Sequence, residues 1–137
     1  MNKPELILLI DDDEINNFIN EAILKLSVTD TRIISYLDPI KANQFLLEDY
    51  IHNPVPAIIF LDINMPQMSG WEILENLEKH IDIVKESLSV FMISSSIDSS
   101  DRDKSLKSSL VKDFVSKPLS KEFVQNLLQN YKENNNA

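Results

Sequence analysis

The chain has no cysteine and a single glycine. Without cysteine there is no disulfide framework, no thiolate zinc site and no cysteine nucleophile, a usage that suits a reducing cytoplasm. With Gly70 as the sole glycine, neither a G-x-G-x-x-G turn nor a P-loop can be written anywhere, which argues against a nucleotide-binding module. Basic residues are in the minority, thirteen against twenty-two acidic ones, for a net charge of -9. Such a surface repels phosphate backbones and anionic bilayers, so no direct binding to nucleic acid or membrane is expected. No run approaches the roughly 20 apolar residues of a membrane span. The opening MNKPELILLIDDDE is too acidic, and its apolar run too short, for a signal-peptide core. Together these point to a soluble, unexported, cytoplasmic protein. Of the two histidines, His52 and His80, neither lies near the acidic residues discussed below, and both read as surface or helix-end residues.

What is present is a regular alternation. At 137 residues and 43% hydrophobic composition, the chain fits one domain that buries about two thirds of its unfolded surface. Short apolar runs at Leu6 to Ile10, Ile33 to Leu37, Ala57 to Leu61, Val90 to Ile93 and Phe114 with Val115 read as buried strands. Between them the apolar spacing is helical, clearest in Ile15, Phe18, Ile19, Ala22, Ile23, Leu26 and in Phe123, Val124, Leu127, Leu128, Tyr131, which predict one-sided amphipathic helices. Asp38-Pro39 marks the start of a second helix, and Ser69 with Glu72 fits a capping box at the start of a third. The fourth, Asp98 to about Ser109, offers little apolar beyond Leu106 and should pack most weakly. Ile81 to Ser89 is the longest uncertain connection. Five strand-helix units imply right-handed crossovers and a parallel sheet covered on both faces, a doubly wound (βα)5 α/β fold. Its core spans about residues 5–131, with a tail at 133–137 ready to fray.

The polar residues fall where such a sheet binds ligands, beyond the carboxyl ends of its strands. Asp11 and Asp12 follow the first strand, Asp62 the third, Ser94 the fourth, and Lys117 stands just past the fifth. Three converging carboxylates stay ionised only with compensating positive charge, which Lys117 and a hard divalent cation supply. One aspartate can then act as a nucleophile in phosphoryl transfer. Singly, each residue has a plainer reading: the aspartates as turn or cap residues, Ser94 as loop, Lys117 as a solvated lysine before a proline, Phe114 as core, and Met65-Pro66 as a turn.

LILLIDDDE, FLDINMPQMSGWE, FMISSS and FVSKPL resemble, in order and spacing, the four signature segments of response-regulator receiver domains, over about residues 5–131. The resemblance implies a flavodoxin-like three-layer fold with strand order 2-1-3-4-5. It places the phosphoacceptor at Asp62, the acidic pair at Asp11 and Asp12, and a Mg2+ site formed by Asp11, Asp12, Asp62 and the backbone carbonyl of Asn64. Lys117 becomes the lysine that neutralises the transferring group, followed by Pro118 through a cis peptide bond. Ser94 and Phe114 become the switch pair, although tyrosine is frequent where this chain has Phe114. The side chains of Asn64 and Ser96 fall where the family tunes dephosphorylation.

The implied function is that of a stand-alone receiver in a two-component phosphorelay. It takes a phosphoryl group from a histidine kinase or histidine phosphotransfer protein and signals through its fourth helix, fifth strand and fifth helix to an unknown downstream protein. It assists its own phosphorylation and dephosphorylation rather than acting as an enzyme on a separate substrate. Trp71, beside the acceptor loop, is a natural fluorescent reporter. Two other readings remain: an aspartyl-phosphate phosphohydrolase, which needs a general acid that Asn64 does not provide, and a degenerate receiver that only binds partners.

Overall fold

The computed structural model describes residues 3–96 and 98–134, with side chains to Tyr131. Five parallel strands form one sheet in the order β2-β1-β3-β4-β5, with β1 at Leu6–Ile10, β2 at Arg32–Tyr36, β3 at Ala57–Asp62, β4 at Leu88–Ser94 and β5 at Val111–Ser116. The fold class and strand order are those implied by the sequence. The central strands LILLI and AIIFLD are buried at every position, as a parallel sheet covered on both faces requires. Their side chains alternate between two cores. Leu6, Leu8, Ile10, Ile59 and Leu61 join one cluster, while Ile7, Leu9, Ile58 and Phe60 join the other. Period-two alternation therefore gives the single sheet two apolar faces, each needing a layer of helices.

One face is covered by α1 (Glu14–Ser27) and α6 (Lys121–Asn134), whose Leu24, Val124 and Tyr131 enter the second cluster. The other is covered by α2 (Pro39–Glu48) and α3 (Gly70–Glu78), with Ala42, Leu46, Ile73 and Leu77 in the first. The uncertain connection contains a single-turn helix, α4 (Ile81–Val84), which seats Val84 in the first cluster, and its last residues open β4. The helix predicted as the fourth is therefore α5 (Ser99–Ser105).

Side chains cap most of the helix starts. Asp13 accepts from the amides of Ile15 and Asn16, Asp38 from Ile40 with Pro39 in the first turn, Ser69 from Glu72, and Asp98 from Ser100. Each satisfies amides that the first turn leaves unpaired.

Two helices depart from the pattern expected of them. In α1 the apolar row faces outward: Ile15, Phe18, Ile19 and Leu26 are exposed, Phe18 at 73% and Leu26 at 80%, while Asn17, Asn20 and Leu24 are buried. Helical spacing shows that a stripe exists, but not which side of it the sheet takes. In α5 the helix ends at Ser105, four residues before the expected Ser109, Leu106 is half exposed, and Ser105 is its one buried residue. With almost no apolar side chain to bury, nothing carries the helix further. At the C-terminus, α6 runs through residues 133 and 134, while 135–137 of the expected frayed tail lie outside the described residues.

Candidate functional site

The carboxyl end of the sheet brings Asp11, Asp62, Ser94 and Lys117 together, set by β1, β3, β4 and β5 in turn. Asp11 follows β1 directly and is fully buried. Its Oδ1 accepts from the Asp13 amide at 2.9 Å, and its Oδ2 from Lys117 Nζ at 3.0 Å. Asp62 closes β3 and is 2% exposed. Its Oδ1 accepts from the Asn64 amide at 3.1 Å, and its Oδ2 lies 3.2 Å from Lys117 Nζ. One ammonium thus bridges two buried carboxylates. The backbone amide of Lys117 donates to the Ser94 carbonyl at 2.9 Å, and the next peptide bond, to Pro118, is cis, as the resemblance implied.

Asp12 differs from its neighbour. It is exposed, and its carboxylate has no hydrogen-bond or ion-pair partner among the described residues. One oxygen each from Asp11, Asp12 and Asp62 nonetheless lies within 4.8 Å of the others. The electrostatics register the crowding. Burial, and then the charge of Asp11, push the Asp62 carboxyl up to about 7, although the Asn64 amide and Lys117 pull the other way. Burial acts to lower the Lys117 pKa, but its hydrogen bond to Asp11 and the charges of Asp62 and Asp11 outweigh that effect and raise it. Lys117 is therefore held protonated against two acids.

Three carboxylates facing one ammonium, with one carboxylate open to solvent, form an all-oxygen donor set short of positive charge. That chemistry fits a hard divalent cation. Asn64, exposed just beyond Asp62, places its own backbone in the same loop.

The Ser94 hydroxyl is buried and engaged within its own loop, donating to the Ser96 carbonyl at 2.7 Å and accepting from the Ser96 amide at 3.2 Å. The ring of Phe114 is buried in the first core cluster, and the side chain of Ser96 is exposed. His52 is exposed at the end of a short 3-10 helix and His80 precedes α4, both apart from the crevice residues in the fold.

Three residues to which the sequence reading gave no part in the site shape it. A Cβ on Gly70 would stand 2.3 Å from the Asp62 carbonyl oxygen, so only glycine lets the start of α3 press against the back of the acceptor loop. Its amide donates to the Ile63 carbonyl at 3.2 Å. The signal was available, since the one glycine of the chain stands eight residues after the aspartate. The other two are Asn17 and Asn20, buried on α1. Asn17 Nδ2 donates to the carbonyls of Asp11 and Tyr36, and Asn20 Oδ1 accepts from the Leu119 amide. Polar residues interrupting an apolar helix pattern were the available sign. Beside Gly70, the half-buried Trp71 carries Lys104 of α5 over its ring, with Nζ 4.4 Å from the centroid.

Comparison with known proteins gives a consistent picture. Residues 7–129 match the family model for the response regulator receiver domain. A two-component response regulator from Cytophaga hutchinsonii superposes with a TM-score of 0.85 at 37% identity, covering 96% of this chain and 98% of that one. The response regulator Rcp1 from Synechocystis sp. is 32% identical over 84 residues, 60% of this chain but only 57% of the length of that relative. A solved Mn2+-bound form of Rcp1 superposes with a TM-score of 0.71 at 25% identity, covering 95% of this chain and 93% of that one. Among the described residues no helix is long and apolar enough to cross a membrane.

Proposed function

The chain belongs to the response regulator receiver domain family, and from that premise we propose that Asp62 accepts a phosphoryl group from a histidine kinase or histidine phosphotransfer protein in a cytoplasmic two-component relay. The observation that carries this reading is the Lys117 ammonium held between Asp62 and Asp11. A carboxylate oxygen of Asp62 attacks phosphorus, the bond from phosphorus to the donor nitrogen breaks, and its electron pair leaves with the donor histidine. Lys117 neutralises charge on the transferring group from a fixed position, which is most of what such a reaction asks of a protein. Asp11, Asp12, Asp62 and the Asn64 backbone carbonyl would hold Mg2+, which would supply the remaining charge compensation. Once a phosphoryl oxygen is present, the Ser94 hydroxyl exchanges its bond to the Ser96 carbonyl for one to that oxygen. Phe114, which has no hydroxyl, follows by packing alone. Asn64 and Ser96 set how water reaches the acyl phosphate.

The outward row of Ile15, Phe18, Ile19 and Leu26 on α1 suits an apolar docking surface for the phosphodonor, since its first residues lie on the turn that follows Asp11 and Asp12. The changed state is read by a downstream protein at α5, β5 and α6. The domain acts on itself rather than on a separate substrate. A phosphohydrolase is disfavoured because Asn64, two residues past the nucleophile, cannot act as a general acid. With Mg2+, acetyl phosphate or beryllofluoride should change Trp71 fluorescence, and Asp62→Asn should abolish the change. An unaltered response in that variant contradicts the assignment.

A further inference from the structure

The inward face of α1 carries two carboxamides where a helix against a sheet ordinarily buries aliphatic side chains. Asn17 and Asn20 are 4% and 0% exposed. Their hydrogen bonds converge on the crevice. Asn17 Nδ2 donates to the Asp11 carbonyl at 2.9 Å and to the Tyr36 carbonyl at 3.2 Å, tying together the ends of β1 and β2. Asn20 Oδ1 accepts at 2.9 Å from the amide of Leu119, ninety-nine residues away in sequence. Leu119 is itself buried and stands two residues after Lys117. The loop from Lys117 to Leu119 is thus held at two points: the Lys117 amide on the Ser94 carbonyl, and the Leu119 amide on Asn20.

The arrangement is not explained by packing. Asn17 Oδ1 and Asn20 Nδ2 are buried without a hydrogen-bond partner among the described residues. Buried polar atoms left unpaired are unfavourable, and a leucine at position 20 would avoid that penalty. It would also leave the Leu119 amide unpaired and the loop free to shift.

We propose that Asn20 is a positioning residue for phosphoryl transfer. Through the Leu119 amide it sets where the Lys117 ammonium stands between Asp11 and Asp62, while Asn17, one turn earlier, fixes the backbone of Asp11. A single helix face then registers both members of the Lys117–Asp11 pair. This inference rests on the assignment of Asp62 as acceptor.

The test compares wild type with Asn20→Leu, which removes the acceptor, and Asn20→Asp, which keeps an oxygen in its place. The readout is the rate of phosphoryl adduct formation on Asp62 with acetyl phosphate and Mg2+, followed by intact mass. Asn20→Leu should slow the reaction about tenfold, as expected when a charge-bearing group is misplaced by a fraction of an ångström. Mg2+ affinity read from Trp71 should change by less than about twofold, and Asn20→Asp should recover most of the rate. In a Lys117→Arg background, the Asn20→Leu change should have a much smaller effect, because it acts through the lysine.

A rate for Asn20→Leu within about twofold of wild type, or an equal loss in both backgrounds, overturns the inference. If Asn20→Leu does not fold, Asn20→Ala, which also removes the acceptor, serves in the same comparison. Absence of any adduct on wild-type Asp62 would instead sink the acceptor assignment on which the inference rests.

Discussion

The crevice and α5 are opposite in construction. Asp11 and Asp62 stand on the ends of β1 and β3, strands buried along their whole length and paired on both sides. α5 buries only Ser105. What ties it to its neighbours is largely exposed: the Arg102–Asp113 ion pair at 3.4 Å and Lys104 over Trp71. The two carboxylates sit on the part held most tightly. The part able to move cheaply lies one loop beyond Ser94. Trp71 lies between the two: it directly follows the glycine packed against the Asp62 carbonyl, and it carries a lysine of α5 over its ring.

Truncations should expose the contrast most strongly. Phe60, fully buried in β3 with its ring tilted against that of Phe91 at 5.6 Å between centroids, should lose about 3–5 kcal/mol of unfolding free energy as Phe60→Ala. Leu106→Ala, half exposed just past α5, should lose less than about 0.5 kcal/mol. Urea denaturation of both variants checks the pair, and equal losses would erase the distinction.

The second effect is electrostatic. Because Asp62 is raised in the folded protein to about 7 from 3.8, the stability it contributes is fully present below pH 3.8 and is lost as pH rises through about 7. The metal-free protein should therefore be less stable at pH 8 than at pH 5, by an Asp62 contribution on the order of 1–3 kcal/mol. Asp62→Asn should flatten that dependence and raise stability at pH 8. Thermal unfolding across this range in chelator is the check. A slope that persists unchanged in Asp62→Asn would place its origin elsewhere.

The smallest effect concerns the link between the two regions. Lys104→Ala should reduce stability by only about 0.5–1 kcal/mol, the range for an exposed cation–π contact. It should nevertheless alter Trp71 emission before any ligand is added. Unchanged emission would mean that the tryptophan does not sense α5.

The same contrast explains what was legible in the sequence. Where burial is complete, apolar runs and alternation are read directly, so β1, β3 and the sheet order followed from pattern and resemblance. Asp11, Asp12, Asp62 and Lys117 were visible because strand ends are visible. The orientation of α1 was not, because a stripe of Ile15, Phe18 and Leu26 has the same period whether it meets a sheet or solvent. The buried face was instead set by Asn17 and Asn20, whose partners lie on other segments. Gly70 was counted as a missing motif, whereas its role is a close approach that appears only when α3 is placed against β3. The end of α5 was overestimated because charged and serine residues permit a helix without supplying a face to hold it.

Amide hydrogen exchange with and without Mg2+ and beryllofluoride tests the account most directly. Protection in β1 and β3 should stay unchanged while exchange alters between Ser94 and Leu110, and that alteration should be absent in Asp62→Asn. Altered exchange centred on β1 and β3, or a response that survives Asp62→Asn, would contradict it.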